Sequence, residues 1–305
     1  MRILVTGVSG YVGALLAARL QGDGHDVLGA SRDPRRVDPS IPSVTADAVS
    51  GEGLDRALGG VDCAYYLIHS MEHASSNGSL TARERIAAEN FAAAAQAAGV
   101  RRIVYLGGLV PARGPASEHL ASRMTVEEIL LSASPCSVAF RASIVIGARS
   151  RSFRFLVRLV ERLPVLAVPA WRTYLTQPID ERDVIEVLAR AATNDSVCGR
   201  SLDIAGPDVV SYGELIDRIR EHMLVGRLTI SFKRLTVTPI ASRIAAVIAG
   251  EDHELIGPLM DSLGSDLLPR DDLAAELLGV RMHTLDAAIE HSLRDWESTE
   301  RLSAR

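Results

Sequence analysis

The sequence predicts an α/β protein: a doubly wound parallel sheet followed by a smaller, mostly helical C-terminal lobe. Three observations predict it. Short apolar runs alternate with helical segments from residue 1 to Gly147. The first run ends in a glycine-punctuated turn, Thr6-Gly7-Val8-Ser9-Gly10-Tyr11-Val12-Gly13. Beyond Gly147 the alternation gives way to amphipathic and apolar helical sequence.

The elements follow in order. Residues 3–5 read as a buried parallel strand, and 11–20 as a helix with Leu15, Leu16 and Leu20 apolar. Strands are expected over 27–30, 44–46, 63–68, 103–106 and 138–146. The third ends at Asp47, and Gly107-Gly108 stops the fifth. Helices are expected over 81–98, where Gly99 is a C-cap, and over 118–131. Residues 150–163 form an amphipathic helix with Arg151, Arg154, Arg158 and Arg162 on one stripe, expected to be a solvated face. Residues 174–179 look extended, 183–192 helical, and 201–205 like a strand returning to the sheet. The expected domains are therefore 1–147 with about 176–205, and a lobe of 148–175 with 206–305. Apolar segments of that lobe, 153–166 and 237–248, are candidate walls of a substrate pocket.

The chain has 305 residues, 47% hydrophobic and 23% charged, with a net charge of −5. A mildly acidic chain has no electrostatic footprint for nucleic acid or anionic membrane, and neither partner is expected. The three cysteines, Cys63, Cys136 and Cys198, are far apart and form no CxxC pair. Neither a zinc site nor a disulfide framework is expected, and a reducing cytoplasm fits. With the first strand starting at Arg2, no signal peptide is expected. The apolar stretch 237–249 is broken by Pro239 and Arg243 and is too short to span a bilayer.

The glycine turn carries the chemistry. Gly7 permits the tight turn, Gly10 admits a pyrophosphate to the backbone, and Gly13 lets the helix pack close to the sheet. Ser9, Tyr11 and Val12 complete the loop, and the following helix N-terminus offers N–H groups to phosphate. This is a dinucleotide site on a Rossmann-type domain. At the end of the second strand stands Ser31-Arg32-Asp33. Arg32 can pair with a 2′-phosphate, which favours NADP(H); Asp33 keeps NAD(H) as the runner-up. Asp47 is placed to accept from the adenine amino group.

Further stretches carry a resemblance. They are Val61-Asp62-Cys63-Ala64-Tyr65-Tyr66-Leu67-Ile68-His69-Ser70, Ala88-Glu89-Asn90-Phe91, and Gly99-Val100-Arg101-Arg102-Ile103-Val104-Tyr105-Leu106-Gly107-Gly108. Others are the segment 141–147, Gln177-Pro178-Ile179 with Asp183-Val184, and Asp203-Ile204-Ala205-Gly206-Pro207. In this order they resemble the extended, atypical short-chain dehydrogenase/reductases, in particular NmrA-like and NAD-dependent epimerase/dehydratase-like proteins. The resemblance implies that Leu67, Ile68 and His69 pass the adenosine ribose and diphosphate. It places Gly107 and Gly108 near the nicotinamide, with the segment from Arg141 on its far side. A homodimer is common in the superfamily.

The superfamily's reductases normally use Ser, Tyr and Lys. Here the serine position falls on Gly107-Gly108, and the tyrosine and lysine positions on His119 and Arg123. Lys233 is the only lysine in the chain. Either His119 donates the proton while Arg123 anchors the ribose, or both are ordinary helix-surface residues. Tyr65, Tyr66, His69 and Ser70 cluster at the carboxyl end of the fourth strand, with Tyr66 and Ser70 as candidate substrate contacts. His69 and His73 lack a carboxylate or cysteine partner, and no metal is expected. The reading is an NADPH-binding oxidoreductase reducing a small apolar carbonyl, imine or activated alkene. The alternative is an NADP(H) sensor or regulator without turnover.

Overall fold

The computed structural model describes residues 1–68, 80–111, 118–162, 165–168, 170–224, 228–231, 265–300 and 302. The chain opens with β1 (Arg2–Thr6), α1 (Tyr11–Gly22), β2 (Asp26–Ser31) and β3 (Ser43–Thr45). It continues with α2 (Leu54–Leu58), β4 (Cys63–Tyr66), α3 (Leu80–Ala97) and β5 (Arg102–Gly108). Next come α4 (Glu118–Ser132), β6 (Val138–Ala142), β7 (Val145–Ile146) and α5 (Arg151–Arg162). Then follow β8 (Val165–Val168), β9 (Leu175–Thr176), β10 (Ile179–Asp180), α6 (Glu181–Ala191) and β11 (Arg200–Ile204). The last elements are β12 (Val210–Ser211), α7 (Tyr212–His222), β13 (Leu228–Ser231), α8 (Leu273–Leu278) and α9 (Leu285–Thr299).

Seven strands form the central sheet in the order β11-β6-β5-β4-β1-β2-β3, every pair parallel. The order reverses between β1 and β4, which opens the crevice where such sheets bind ligands. Both faces of the sheet are covered, and this is why its strands read as continuous apolar runs. Ile3, Val5, Cys63 and Tyr65 enter one core, with α1 and α6. Leu4, Ala64 and Tyr66 enter the other, with α2, α3 and α4.

A third core belongs to the C-terminal lobe and joins α5, α7 and α9 around Phe153, Tyr212 and Trp296. Phe153, Phe155, Leu156 and Val160 are buried there, so the α5 part of the expected pocket wall is packing; residues 237–248 lie outside the described set. Three further expectations are corrected. Residues 138–146 are two strands, because β7 leaves the main sheet to pair with β10. Ala274, Leu278 and Val280, expected in the lobe, return to the core of the sheet. The middle of the α5 arginine stripe is not a solvated face: Arg151 is exposed, but Arg154 and Arg158 lie 4.2 and 5.0 Å from the Trp296 ring, and Arg158 is only 7% exposed. Arg158 also pairs with Glu161 and Glu300, so cation–π contact and two carboxylates hold charge that a helical wheel assigns to water.

The cysteine expectation is corrected too. Cys136 and Cys198 form a disulfide, with Cα atoms 4.4 Å apart, although 62 residues separate them. Each precedes one of two neighbouring parallel strands, β6 and β11, a proximity that linear spacing does not reveal. Among the described residues no helix is long and apolar enough to cross a membrane.

Candidate dinucleotide site

The glycine turn closes on backbone, and that dictates its residues. Gly7 has φ +68°, and a Cβ there would lie 2.5 Å from the Leu67 carbonyl oxygen. A Cβ on Gly13 would strike the Gly7 carbonyl, so α1 packs on the turn only without one. The Gly10 amide donates to Gly7 O at 2.8 Å. Thr6 ties the turn to β4: its hydroxyl donates to Tyr65 O at 2.8 Å and accepts from Leu67 N at 3.3 Å. Leu67 thus stands against Gly7.

Helix α1 begins without a cap. Its N-cap residue is Gly10, no side chain accepts from its first turn, and that turn holds no acidic residue. The amides of Tyr11, Val12 and Gly13 have no intrahelical acceptor by construction. Donors at a helix terminus with its positive dipole end form an anion site. The missing cap and the space kept free by Gly10, whose Cβ would meet only Gly7 O at 3.1 Å, fit a dinucleotide diphosphate.

At the end of β2 the two candidate cofactor selectors part company. Asp33 caps the 3-10 turn Pro34–Arg36, accepting from Arg35 N at 3.2 Å and Arg35 Nε at 2.8 Å. The Arg35 guanidinium holds the Asp33 carboxyl below its usual value. Ser31 Oγ accepts from Asp33 N at 3.2 Å, which fixes the bend. Arg32 is exposed and has no ion-pair partner among the described residues. Asp47 spends one carboxylate oxygen on Val49 N at 2.9 Å, and Asn90 of α3 holds the same loop through Ala48 O and Val49 O.

The neighbouring strand ends β4, β5 and β6 differ from expectation. Tyr66 is 2% exposed and packs edge-on against Phe91, with ring centroids 5.0 Å apart. Burial pushes its hydroxyl well above the usual value. The structure therefore corrects Tyr66 from substrate contact to core, and Tyr65, whose hydroxyl donates to Leu188 O at 2.7 Å, is core as well. Arg123 is neither on the helix surface nor free: it is 4% exposed and pairs with Glu84 of α3 at 3.0 Å. Arg141 is committed bidentately to Glu127 at 2.8 and 2.7 Å, so its side chain braces β6 on α4. Gly107 and Gly108 end β5; a Cβ on Gly107 would press on the Tyr105 ring at 3.0 Å, while Gly108 has room. Ile68 is half-buried beside Leu67. His69, Ser70, His73 and Lys233 lie outside the described residues, as does the His119 side chain at the start of α4.

Sequence reasoning missed the brace of the turn. The Tyr11 hydroxyl donates to the Glu181 carboxylate at the start of α6. Glu181 in turn lies 3.6 Å from His291 Nε2 of α9. A side chain on Gly147 would fall on both Tyr11 and Glu181, which explains the glycine there. Burial raises the Glu181 carboxyl above its usual value, opposed by the Tyr11 hydrogen bond and by His291. Burial and the adjacent carboxylate raise the Tyr11 hydroxyl. The only sequence signal was Gly147 itself.

Known proteins resemble this chain in sequence and in fold. A reductase of Streptomyces griseus, (4-alkanoyl-5-oxo-2,5-dihydrofuran-3-yl)methyl phosphate reductase, is 28% identical over 222 residues, 70% of each chain. A 3-beta-hydroxysteroid dehydrogenase of Mycolicibacterium neoaurum is 33% identical over 116 residues, which are 34% of this chain and 31% of that protein. A nucleoside-diphosphate-sugar epimerase from Staphylococcus aureus superposes with a TM-score of 0.73 at 14% identity, over 95% of this chain and all of the other, a likeness of fold. The profile of the family described as NAD dependent epimerase/dehydratase matches residues 3–163, the stretch that holds the glycine turn, and the chain belongs to that family.

Proposed function

We propose that the protein is an NADPH-dependent reductase of a small apolar substrate whose reducible group is a carbonyl, an imine or an activated alkene. One observation carries the cofactor choice: Asp33 is tied to Arg35 while Arg32 has no ion-pair partner among the described residues. A carboxylate already paired does not compete for ribose hydroxyls, and an unpaired guanidinium offers bidentate donors to a 2′-phosphate. Among the substrate classes, an activated alkene makes the smallest demand on an acid. Arg123 and Glu84 neutralise one another where the superfamily keeps a lysine, so no titrating amine assists a tyrosine there. The Streptomyces griseus relative, named for a 5-oxo-2,5-dihydrofuran substrate, supports this choice.

NADPH, when bound, would supply the hydride. The chain's own residues do the rest. The first-turn amides of α1 hold the diphosphate, Arg32 holds the 2′-phosphate, and Glu181 steadies Tyr11 and with it the turn. A second reading, an NADP(H) sensor without turnover, draws on the same Arg123–Glu84 pair.

Calorimetric titration with NADPH, NADP⁺, NADH and NAD⁺ tests the proposal, in the wild type and in Arg32→Ala. The expected loss of NADPH affinity in the variant is about 10- to 100-fold, the worth of charge-assisted hydrogen bonds, with NADH unchanged. Tighter binding of NADH than NADPH by the wild type overturns the cofactor choice. NADPH consumption with a panel of cyclic enones then separates enzyme from sensor.

A further inference from the structure

The amino edge of the sheet, away from the glycine turn, carries a cluster that dinucleotide binding does not use. Cys136 precedes β6 and Cys198 precedes β11, and the loops are stitched together by Gly199 N donating to Ser137 O at 2.7 Å. Their Cα separation of 4.4 Å lies within the span that disulfides bridge. Between them sits Arg102, the first residue of β5, only 3% exposed. Its Nε and Nη2 lie 3.2 and 3.0 Å from Cys136 Sγ, and Nη2 lies 3.6 Å from Cys198 Sγ. Nη1 donates to Ala191 O, and the exposed Asp195, which also pairs with Arg101 at 2.9 Å and lies 4.0 Å from Cys198 Sγ, supplies a carboxylate.

We propose that Cys136, Cys198 and Arg102 form a thiol–disulfide exchange site whose substrates are low-molecular-weight disulfides. A guanidinium is always charged, and one held in a buried position against both sulphurs favours the thiolate, the reactive form. The third cysteine is not activated: Cys63 is fully buried, and burial, opposed only in part by the same Arg102, pushes its thiol up to about 12. Exposure divides the labour. Cys198 is partly exposed and meets the small disulfide; Cys136 is buried and resolves.

In the forward direction the Cys198 thiolate attacks one sulphur of the small disulfide and expels one thiolate, leaving a mixed disulfide. The Cys136 thiolate then attacks Cys198 Sγ and expels the second. Two electrons pass from the protein dithiol to the small disulfide, which leaves as two thiols carrying the two protons. The reverse sequence reduces the protein.

The test uses the full chain, first reduced and then incubated with glutathione disulfide, quenched by alkylation under denaturing conditions and weighed intact. Three cysteines alkylate before oxidation and one, Cys63, is expected to alkylate after it. Cys136→Ser is expected to stop at a glutathione adduct on Cys198. Arg102→Gln is expected to slow exchange roughly three- to tenfold at neutral pH. Should that variant fail to fold, the wild-type rate–pH profile decides, with an inflection below ~8.5 supporting the assignment. Full alkylation after oxidation, no trapped adduct, or an inflection at the ordinary thiol value overturns it. NADPH affinity is expected to be the same in both redox states, which keeps this outcome separate from that of the cofactor assignment.

Discussion

Two helix starts in the same molecule are built in opposite ways. At the start of α6, Asp180 accepts from Arg182 N at 2.8 Å, and Glu181 and Asp183 add acidic groups to the first turn. At the start of α1, Gly10 offers no side chain and no acid follows. Helices α7 and α9 follow the α6 pattern, with Ser211 accepting from Glu214 N and Thr284 from Ala287 N. A cap is worth about 1 kcal/mol; α6, α7 and α9 take it, α1, α2 and α8 forgo it, and of these six only α1 also has no acid in its first turn. The difference teaches where an external anion belongs: at the start that has neither a side-chain cap nor an acid in its first turn.

Substitution can break this comparison. The largest effect is expected from Gly10→Asp, which gives α1 the cap that α6 has. Its carboxylate would take the first-turn amides and repel a diphosphate. NADPH affinity is expected to fall at least about 100-fold, roughly 3 kcal/mol, while the melting temperature holds or rises. Calorimetry beside a thermal melt reads both, and a variant that binds as well as wild type would sink the anion assignment. The opposite change, Thr284→Ala, removes a cap that only folding uses. It is expected to cost ~1 kcal/mol, about 2–4 °C of melting temperature, and to leave cofactor affinity alone.

The smallest effect concerns Glu181 and sharpens the contrast through pH. Burial raises its carboxyl above the usual value, so the fold favours the protonated form. The corresponding stability is present below the ordinary carboxylate value and is lost as pH rises through the raised one. Glu181→Gln keeps an acceptor for Tyr11 without the charge. Relative to wild type it is expected to gain stability between acidic and neutral pH, on the order of 2 °C. Parallel melts across that range check it; a constant difference contradicts the sign.

The order of strands and helices was legible because each element buries a continuous or periodic apolar face, from Ile3 to Val5 and on through β6. The glycine turn was legible for a related reason: backbone contact at Gly7 and Gly13 leaves no residue choice. What escaped was long-range pairing of charge. Arg123 looked like a surface residue because its partner, Glu84, lies on a different helix, 39 positions away. Arg154 and Arg158 of α5 looked solvated because Trp296 and Glu300 come from a distant part of the sequence. Tyr66 looked available because a strand's carboxyl end is where ligands sit, yet the ring turns to Phe91 in the core. Local pattern specifies backbone and apolar faces; it does not specify which distant counter-charge a buried guanidinium will meet.

Glu181 takes Tyr11 on one side and faces His291 on the other. Tyr11 and Glu181 stand 170 positions apart in the sequence, so the setting of the turn is a long-range contact and not a property of the glycine motif alone. A change in α6 or α9 can therefore loosen a turn whose own residues are all intact.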